Sequence, residues 1–206
     1  MLRGGGDLTG AGGGTGAAVL AAGGSSRLGR PKQLLVLEGE PLVRRAARAA
    51  LEAGFAPVVV VVGARAGEVR AALAGLSVEV VENAAWAEGL AGAVRLGIGS
   101  LARAGARAAA LLGCDQPHLS AAHLVRLEEA RLASGALVAA SEYGGARGTP
   151  AIFDAALFQE LLALEGDRGA RAVIARDPSR AVGVPFPGGE VDVDHPADWE
   201  RLSGGR

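Results

Sequence analysis

Between Ala17 and Leu35 the chain reads AAVLAAGGSSRLGRPKQLL: an apolar run stops at paired glycines and gives way to a small-residue loop carrying Arg27, Arg30 and Lys32. The apolar residues Ala17 to Ala22, flanked by glycine, have the length of a buried strand. Gly23, Gly24 and Gly29 let the backbone turn tightly and bring its N–H groups close to an anion, and the three cations neutralise it. Such a loop suits a polyphosphate. Two familiar phosphate loops do not fit. A Walker A loop ends in Gly-Lys-Ser/Thr, whereas Gly29 is followed by Arg30 and Pro31, and Pro31 keeps the two residues before it from running straight into a helix. The dinucleotide fingerprint can be laid only on Gly12, Gly14 and Ala17, which precede the strand instead of following it.

The 206 residues are within reach of one domain, and half of them are hydrophobic, enough for one continuous core. We expect residues 17–206 to form that domain and residues 1–16, with few apolar side chains among many glycines, to form a flexible tail. Lysine and arginine (21) almost balance aspartate and glutamate (22), so the net field draws in neither nucleic acid nor an anionic membrane, and anion binding must be local. Cys114 is the single cysteine, which excludes an internal disulfide and a thiolate metal cluster and fits a cytoplasmic protein. The apolar stretches fall well short of the roughly 20 residues that span a bilayer.

Along the chain, strand and helix signals alternate. After the first loop come a helix from Pro41 to Ala53, opened by proline and closed by Gly54, and a buried strand from Pro57 to Val62 built of five valines. Then follow a short helix from Glu68 to Leu73, a strand from Val78 to Val81, a helix from Leu90 to Ala104, a strand from Ala108 to Leu112 and a helix from Ser120, its N-cap, to Ala133. Strands from Leu137 to Ser141, Pro150 to Phe153 and Val182 to Pro185, with helices from Ala155 to Leu164 and Ala197 to Leu202, complete the pattern. Strands separated by helices imply right-handed crossovers and a three-layer α/β fold, a mostly parallel sheet with helices on both faces. In such sheets ligands bind beyond the carboxyl ends of the strands, where both the first loop and the segment Gly113 to Pro117 (GCDQP) belong.

Asp115 stands just past a strand in that second loop, where a carboxylate reaches a ligand without burying its charge. Mg²⁺ takes one or two carboxylates with phosphate oxygens and water, which makes Asp115 a candidate ligand and calls for a second acid from elsewhere. The segment DVDHPAD offers Asp192, Asp194 and Asp198. Alternation along Val191 to Asp194 places the first two on one face of a strand with the valines turned to the core, while Asp198 stands at a helix start, where an acid favours the dipole whatever the function. His118, His123 and His195 share no ligand spacing, and Cys114 has no base placed by sequence to activate it.

Leu20, Gly23, Arg27, Gly29 and Lys32 match in register the opening signature of the MobA-like nucleotidyltransferases, Leu-x-x-Gly-x-x-x-Arg-x-Gly-x-x-Lys. Gln33, Leu34 and Leu35 resemble the branch that contains the molybdenum cofactor cytidylyltransferases, the MocA-like branch. So do the later segments Asn83 to Gly89, Gly113 to Pro117, Gly148 to Pro150, Gly166 to Arg171 and Asp192 to Asp198. The resemblance implies a Rossmann-like nucleotide-diphospho-sugar transferase fold and an Mg²⁺-dependent transfer of a nucleotide from a nucleoside triphosphate, with CTP favoured, to molybdopterin or its molybdenum-loaded form. A molybdoenzyme that receives the product is an implied partner. It also implies Lys32, Arg27 and Asp115 as catalytic residues, and Leu20, Ala21, Ala22, Gly23, Gly24, Arg27 and Lys32 around the nucleotide. Asp115 with Asp194 would hold the metal, and Asn83, Gly89, Arg168 and Arg171 the acceptor. Ala93 stands where relatives often carry serine, and His195 where they carry threonine. Two alternatives share these residues: a guanylyltransferase of the same family, and a protein that binds and delivers the finished cofactor without making it.

Overall fold

Five consecutive valines, Val58 to Val62, are all buried, and a strand shielded on both faces can only lie inside a sheet. In the computed structural model, which describes residues 14–204, this strand (β4, Val58–Val62) lies second from one edge of a seven-stranded sheet. The sheet runs β5, β4, β1, β6, β8, β7, β9, with β1 at Thr15–Ala21, β5 at Glu79–Glu82 and β6 at Ala108–Gly113. β7 is Val138–Tyr143, β8 Ala146–Asp154 and β9 Ala181–Pro185. β8 runs antiparallel to both of its neighbours, and all other pairings are parallel. A separate two-stranded ribbon pairs β2 (Val36–Leu37) with β3 (Glu40–Pro41).

Period-two alternation divides the apolar residues between the two faces. Ala17, Val19 and Ala21 of β1 and Val58, Val60 and Val62 of β4 pack under α1 (Leu42–Glu52), α2 (Ala66–Ala72) and α4 (Ala121–Ser134). Ala18, Val59 and Val61 pack on the other face under α3 (Leu90–Arg103), α5 (Phe158–Leu162) and α6 (Arg171–Arg176). Each fully buried valine or leucine in these layers contributes roughly 1.5–3 kcal/mol relative to exposure. A third, smaller cluster joins Leu28, Leu35 and Leu42 to Val193, with Trp199 of α7 (Pro196–Ser203) against it.

Several sequence expectations shift. β1 opens at Thr15, whose hydroxyl donates to Glu128 of α4 at 2.6 Å, so residues 15 and 16 belong to the sheet and not to the expected tail; residues 1–13 of that tail lie outside the described residues. Gly148 to Pro150 sit inside β8, not before it. Ala140 pairs with Ala151 but Ser141 with Gly148, so Thr149 and Pro150 bulge out of the ladder, a place where a missing N–H costs nothing. α6 falls on residues 171–176, for which the sequence pattern predicted no element. Val191 to Asp194 is not a strand: it carries no regular secondary structure and has no ladder partner.

The bulge is held by a buried polar chain. Ser141 donates to the Pro150 carbonyl at 2.6 Å, and His123 Nε2 lies 2.7 Å from the same hydroxyl, so His123 donates there and is the Nε2-protonated neutral form. Phe186 stacks on its ring at 4.1 Å. Burial, with the Arg126 charge beside it, pushes the His123 pKa down from 6.5 to about 4. The unfolded chain therefore takes up this proton first as pH falls, so the stabilisation is complete above about pH 6.5 and is lost towards pH 4, at about 1.4 kcal/mol per unit. Thermal melts at pH 7.5, 6 and 5 are expected to show the wild-type midpoint falling relative to that of His123→Gln, a difference in which the opposite contribution of Asp192, raised to about 6, cancels. The carboxylates with lowered pKa values act only below that window.

Candidate active site

The first loop is shaped by its own polar side chains. Ser25 takes a positive φ of 53°, and its carbonyl accepts the amides of Leu28 and Gly29, the latter at φ 73°. Its hydroxyl accepts the Lys32 amide at 3.0 Å. Gln33, buried to 1 % exposure, donates Nε2 to the carbonyls of Ala21 (3.0 Å) and Gly23 (2.5 Å), which clamps the end of β1 to the 3-10 turn carrying Lys32. The sequence marks this glutamine only through the likeness of Gln33, Leu34 and Leu35 to one branch of a family, which says nothing of the clamp it makes.

The result is a cleft of about 650 Å³ at the carboxyl ends of β1 and β6. At its floor the Lys32 ammonium donates to Asp115 Oδ2 at 2.6 Å and to Asp194 Oδ1 at 2.8 Å. Two acids 79 positions apart in sequence thus meet at one cation. Arg27 reaches the far oxygen of Asp194 at 3.2 Å with most of its side chain in solvent. Burial works against the Lys32 charge, but Asp115 and Asp194 outweigh it and hold the ammonium above the usual lysine range. The Lys32 hydrogen bond in turn holds Asp194 below the usual carboxylate range. Asp192, which the sequence left undecided, also lines the cleft; its pKa is pushed up to about 6 by desolvation in the cleft and by repulsion from Asp115 and Asp194. Cys114 is buried beside them, and burial raises its thiol to about 12, which leaves it inert.

Among the described residues no three His, Cys, Asp or Glu side chains are placed to form a metal cage. The donor set instead fits a Mg²⁺-type ion held by two carboxylates, Asp115 and Asp194, with its other positions left to phosphate oxygens and water.

Leu20, Ala22, Gly23, Gly24, Arg27 and Lys32 line the cleft, as do Gly89 and Arg171. Three other expected site residues do not. Ala21 is buried behind the loop, with its side chain in the core. Asn83 faces a separate recess of about 670 Å³ on the far side of the 83–89 loop, where its side chain accepts the Ala85 amide and sets the turn. Arg168 is exposed and lies off the lining. Arg171 donates to the Tyr143 hydroxyl at 3.0 Å, and Tyr143 donates to the Thr149 carbonyl at 2.8 Å, so the β8 bulge carries this wall. Gln116 ties the same carbonyl to Gly189. Trp86 crosses Gly24 and Gly63, each of which has no room for a Cβ beneath the indole, and it stays partly exposed over the cleft.

Gly89 begins α3 at φ +117°, and a Cβ there would stand 2.5 Å from the Gly166 backbone. Gly89→Ala is expected to cost about 1–3 kcal/mol by urea denaturation, because the left-handed backbone is strained and the 166 segment must move.

A family profile, the MobA-like NTP transferase domain, matches residues 17–181. Over 122 residues the chain is 41% identical to a probable molybdenum cofactor guanylyltransferase of Opitutus terrae, a match covering 59% of this chain and 58% of that relative. It is 34% identical over 167 residues to a nicotine blue oxidoreductase of Paenarthrobacter nicotinovorans, covering 78% and 81%. Among solved structures, a nucleotidyl transferase from Methanothermobacter thermautotroptrophicus superposes with a TM-score of 0.77 at 30% identity, covering 91% of this chain and 95% of its own. Rv0371C of Mycobacterium tuberculosis H37Rv, solved in complex with manganese, gives 0.71 at 31% identity, covering 94% and 100%. The sheet and its helices are those of the nucleotide-diphospho-sugar transferase fold, and the chain belongs to the MobA-like family as a nucleotidyltransferase.

Proposed function

We propose that this protein joins the nucleoside monophosphate part of a triphosphate, CTP by preference, to the phosphate of a pterin-type acceptor, molybdopterin or its molybdenum-loaded form. The observation that carries the reading is the meeting of Asp115 and Asp194 at the Lys32 ammonium, 2.6 and 2.8 Å away, beside the glycine-rich loop. An acceptor phosphate oxygen attacks the α-phosphorus, a new P–O–P link forms, and the α–β bond breaks to release pyrophosphate. The acceptor is already anionic at neutral pH, so no protein nucleophile or general base is required, and the protein's work is alignment and charge stabilisation. Lys32 and Arg27 face the phosphates and offset charge as it builds on the departing pyrophosphate. A Mg²⁺ held by Asp115 and Asp194 would add Lewis-acid polarisation of the phosphate oxygens. Gly24 and Trp86 bound the nucleotide side, and Gly89 and Arg171 the acceptor side.

The decisive experiment incubates the purified protein with Mg²⁺, molybdopterin and each of the four triphosphates in turn, reading pyrophosphate and product mass. Release with CTP alone is the expected result. The name of the Opitutus relative favours a guanylyl variant of the same reaction, and release with GTP alone would reassign the base while leaving the mechanism. Silence with all four, accompanied by tight binding of a finished nucleotide cofactor, would replace the transferase by a delivery protein. An NAD(P)H oxidation assay belongs beside it, since one relative bears an oxidoreductase name.

A further inference from the structure

Asp194 carries half of the acidic pair, yet it lies on a segment that no sheet ladder holds. Two backbone ties replace the ladder. Val193, with its side chain fully buried, donates its amide to the Asp115 carbonyl at 3.0 Å, which fixes one acid's backbone to the other's. Then Asp198 Oδ2 accepts the amide of Asp194 at 3.2 Å and that of His195 at 2.7 Å, while Arg201 donates to its other oxygen at 2.7 Å.

An acid at the third position of a helix ordinarily closes a capping box on the N-cap amide, here His195, and that alone would make Asp198 a helix-stabilising residue and nothing more. The second amide is different. Asp194 precedes the N-cap, outside what α7 needs for its own termination, and its N–H belongs to the residue whose carboxylate meets Lys32. Losing that bond frees the Asp194 backbone to rotate, and its side chain leaves the point shared with Asp115.

We propose that Asp198 is the positioning residue of the acidic pair: by holding the Asp194 and His195 amides it keeps the Asp194 carboxylate in register with Asp115. The proposal rests on the reading of these two aspartates as metal ligands, and groups that orient a ligand in this way typically account for 10–100-fold in metal affinity.

The test uses the full-length protein with an α,β-methylene nucleoside triphosphate and titrates Mn²⁺ by electron paramagnetic resonance, with amide hydrogen exchange over residues 192–196 and a thermal melt beside it. Asp198→Ala is expected to weaken Mn²⁺ binding about 10-fold and speed exchange at Asp194 and His195. Asp198→Asn, which keeps an acceptor oxygen, is expected to recover most of both. Arg201→Ala weakens the same helix end but leaves the acceptor in place, so its Mn²⁺ affinity should match the wild type; an equal loss there would mean that helix stability alone is at work and would overturn the proposal. Unchanged Mn²⁺ affinity in Asp198→Ala would overturn it too. If the wild type itself takes up no Mn²⁺, the metal reading fails instead, and exchange at Asp194 still decides: faster in Asp198→Ala upholds the positioning role, unaltered ends it.

Discussion

Asp115→Ala is expected to lower pyrophosphate release by about 10²–10³-fold while the protein remains folded. Asp115 sits past the end of β6, in a loop pinned by Gln116 to the Thr149 and Gly189 carbonyls, so truncating its side chain removes an acid without removing what holds the loop. Among the described residues the side chain accepts its hydrogen bond from Lys32. The measurement is a coupled pyrophosphate assay across a Mg²⁺ series, with a circular dichroism melt as control. A variant with undiminished turnover would remove Asp115 from the reaction and with it the convergence on which the proposed chemistry stands.

Lys32→Met, close in length but uncharged, is expected to reduce turnover by about 10²-fold or more. Arg27 cannot take over, since it reaches only Asp194 and from a largely solvated position. The substitution also leaves Asp115 and Asp194 facing each other with no ammonium between them, which should cost about 1–3 kcal/mol of stability. The pH dependence has a definite sign. Because the folded-state pKa of Lys32 is raised, its contribution is fully present below the ordinary lysine value of 10.5 and is lost only as pH climbs through the folded value. The difference in melting temperature between wild type and Lys32→Met should therefore stay level from pH 8 to pH 10, above the range in which Asp192 titrates beside it. A gap that closes within that interval would show that the ammonium is not held charged by the two acids.

The features legible in the sequence are those with a period or a run behind them. The valines of β4 and the alanine-rich β1 and β6 could be placed because a doubly covered strand has to be continuously apolar, and the loop after β1 stood out by contrast. Asp115 followed from lying just past such a strand. Asp192 and Asp194 both face the cleft, as alternation suggested, but their segment pairs with no strand, and alternation alone cannot supply a partner. What escaped were residues whose role lies in a few specific tertiary hydrogen bonds. Gln33 clamps two carbonyls, Asp198 takes an amide from outside its helix, and Thr149 offers a bulged carbonyl to both Gln116 and Tyr143. None of these leaves a mark in composition. Asn83 and Arg168 were placed by motif likeness alone; Asn83 faces a separate recess behind the 83–89 turn, and Arg168, before α6, lies off the cleft lining.

The last ladder pairing of the sheet is Glu142 with Pro185, and past Phe186, which stacks on His123, the described chain runs to the cleft and to the third apolar cluster. A chain clipped beyond β9 would keep all seven strands yet shed Asp194, the α7 helix and the apolar cover over Leu28 and Leu35. Removing the residues beyond 188 would take away Asp194 and Trp199 together, and the truncated species is expected to be inactive and to lack the Trp199 fluorescence.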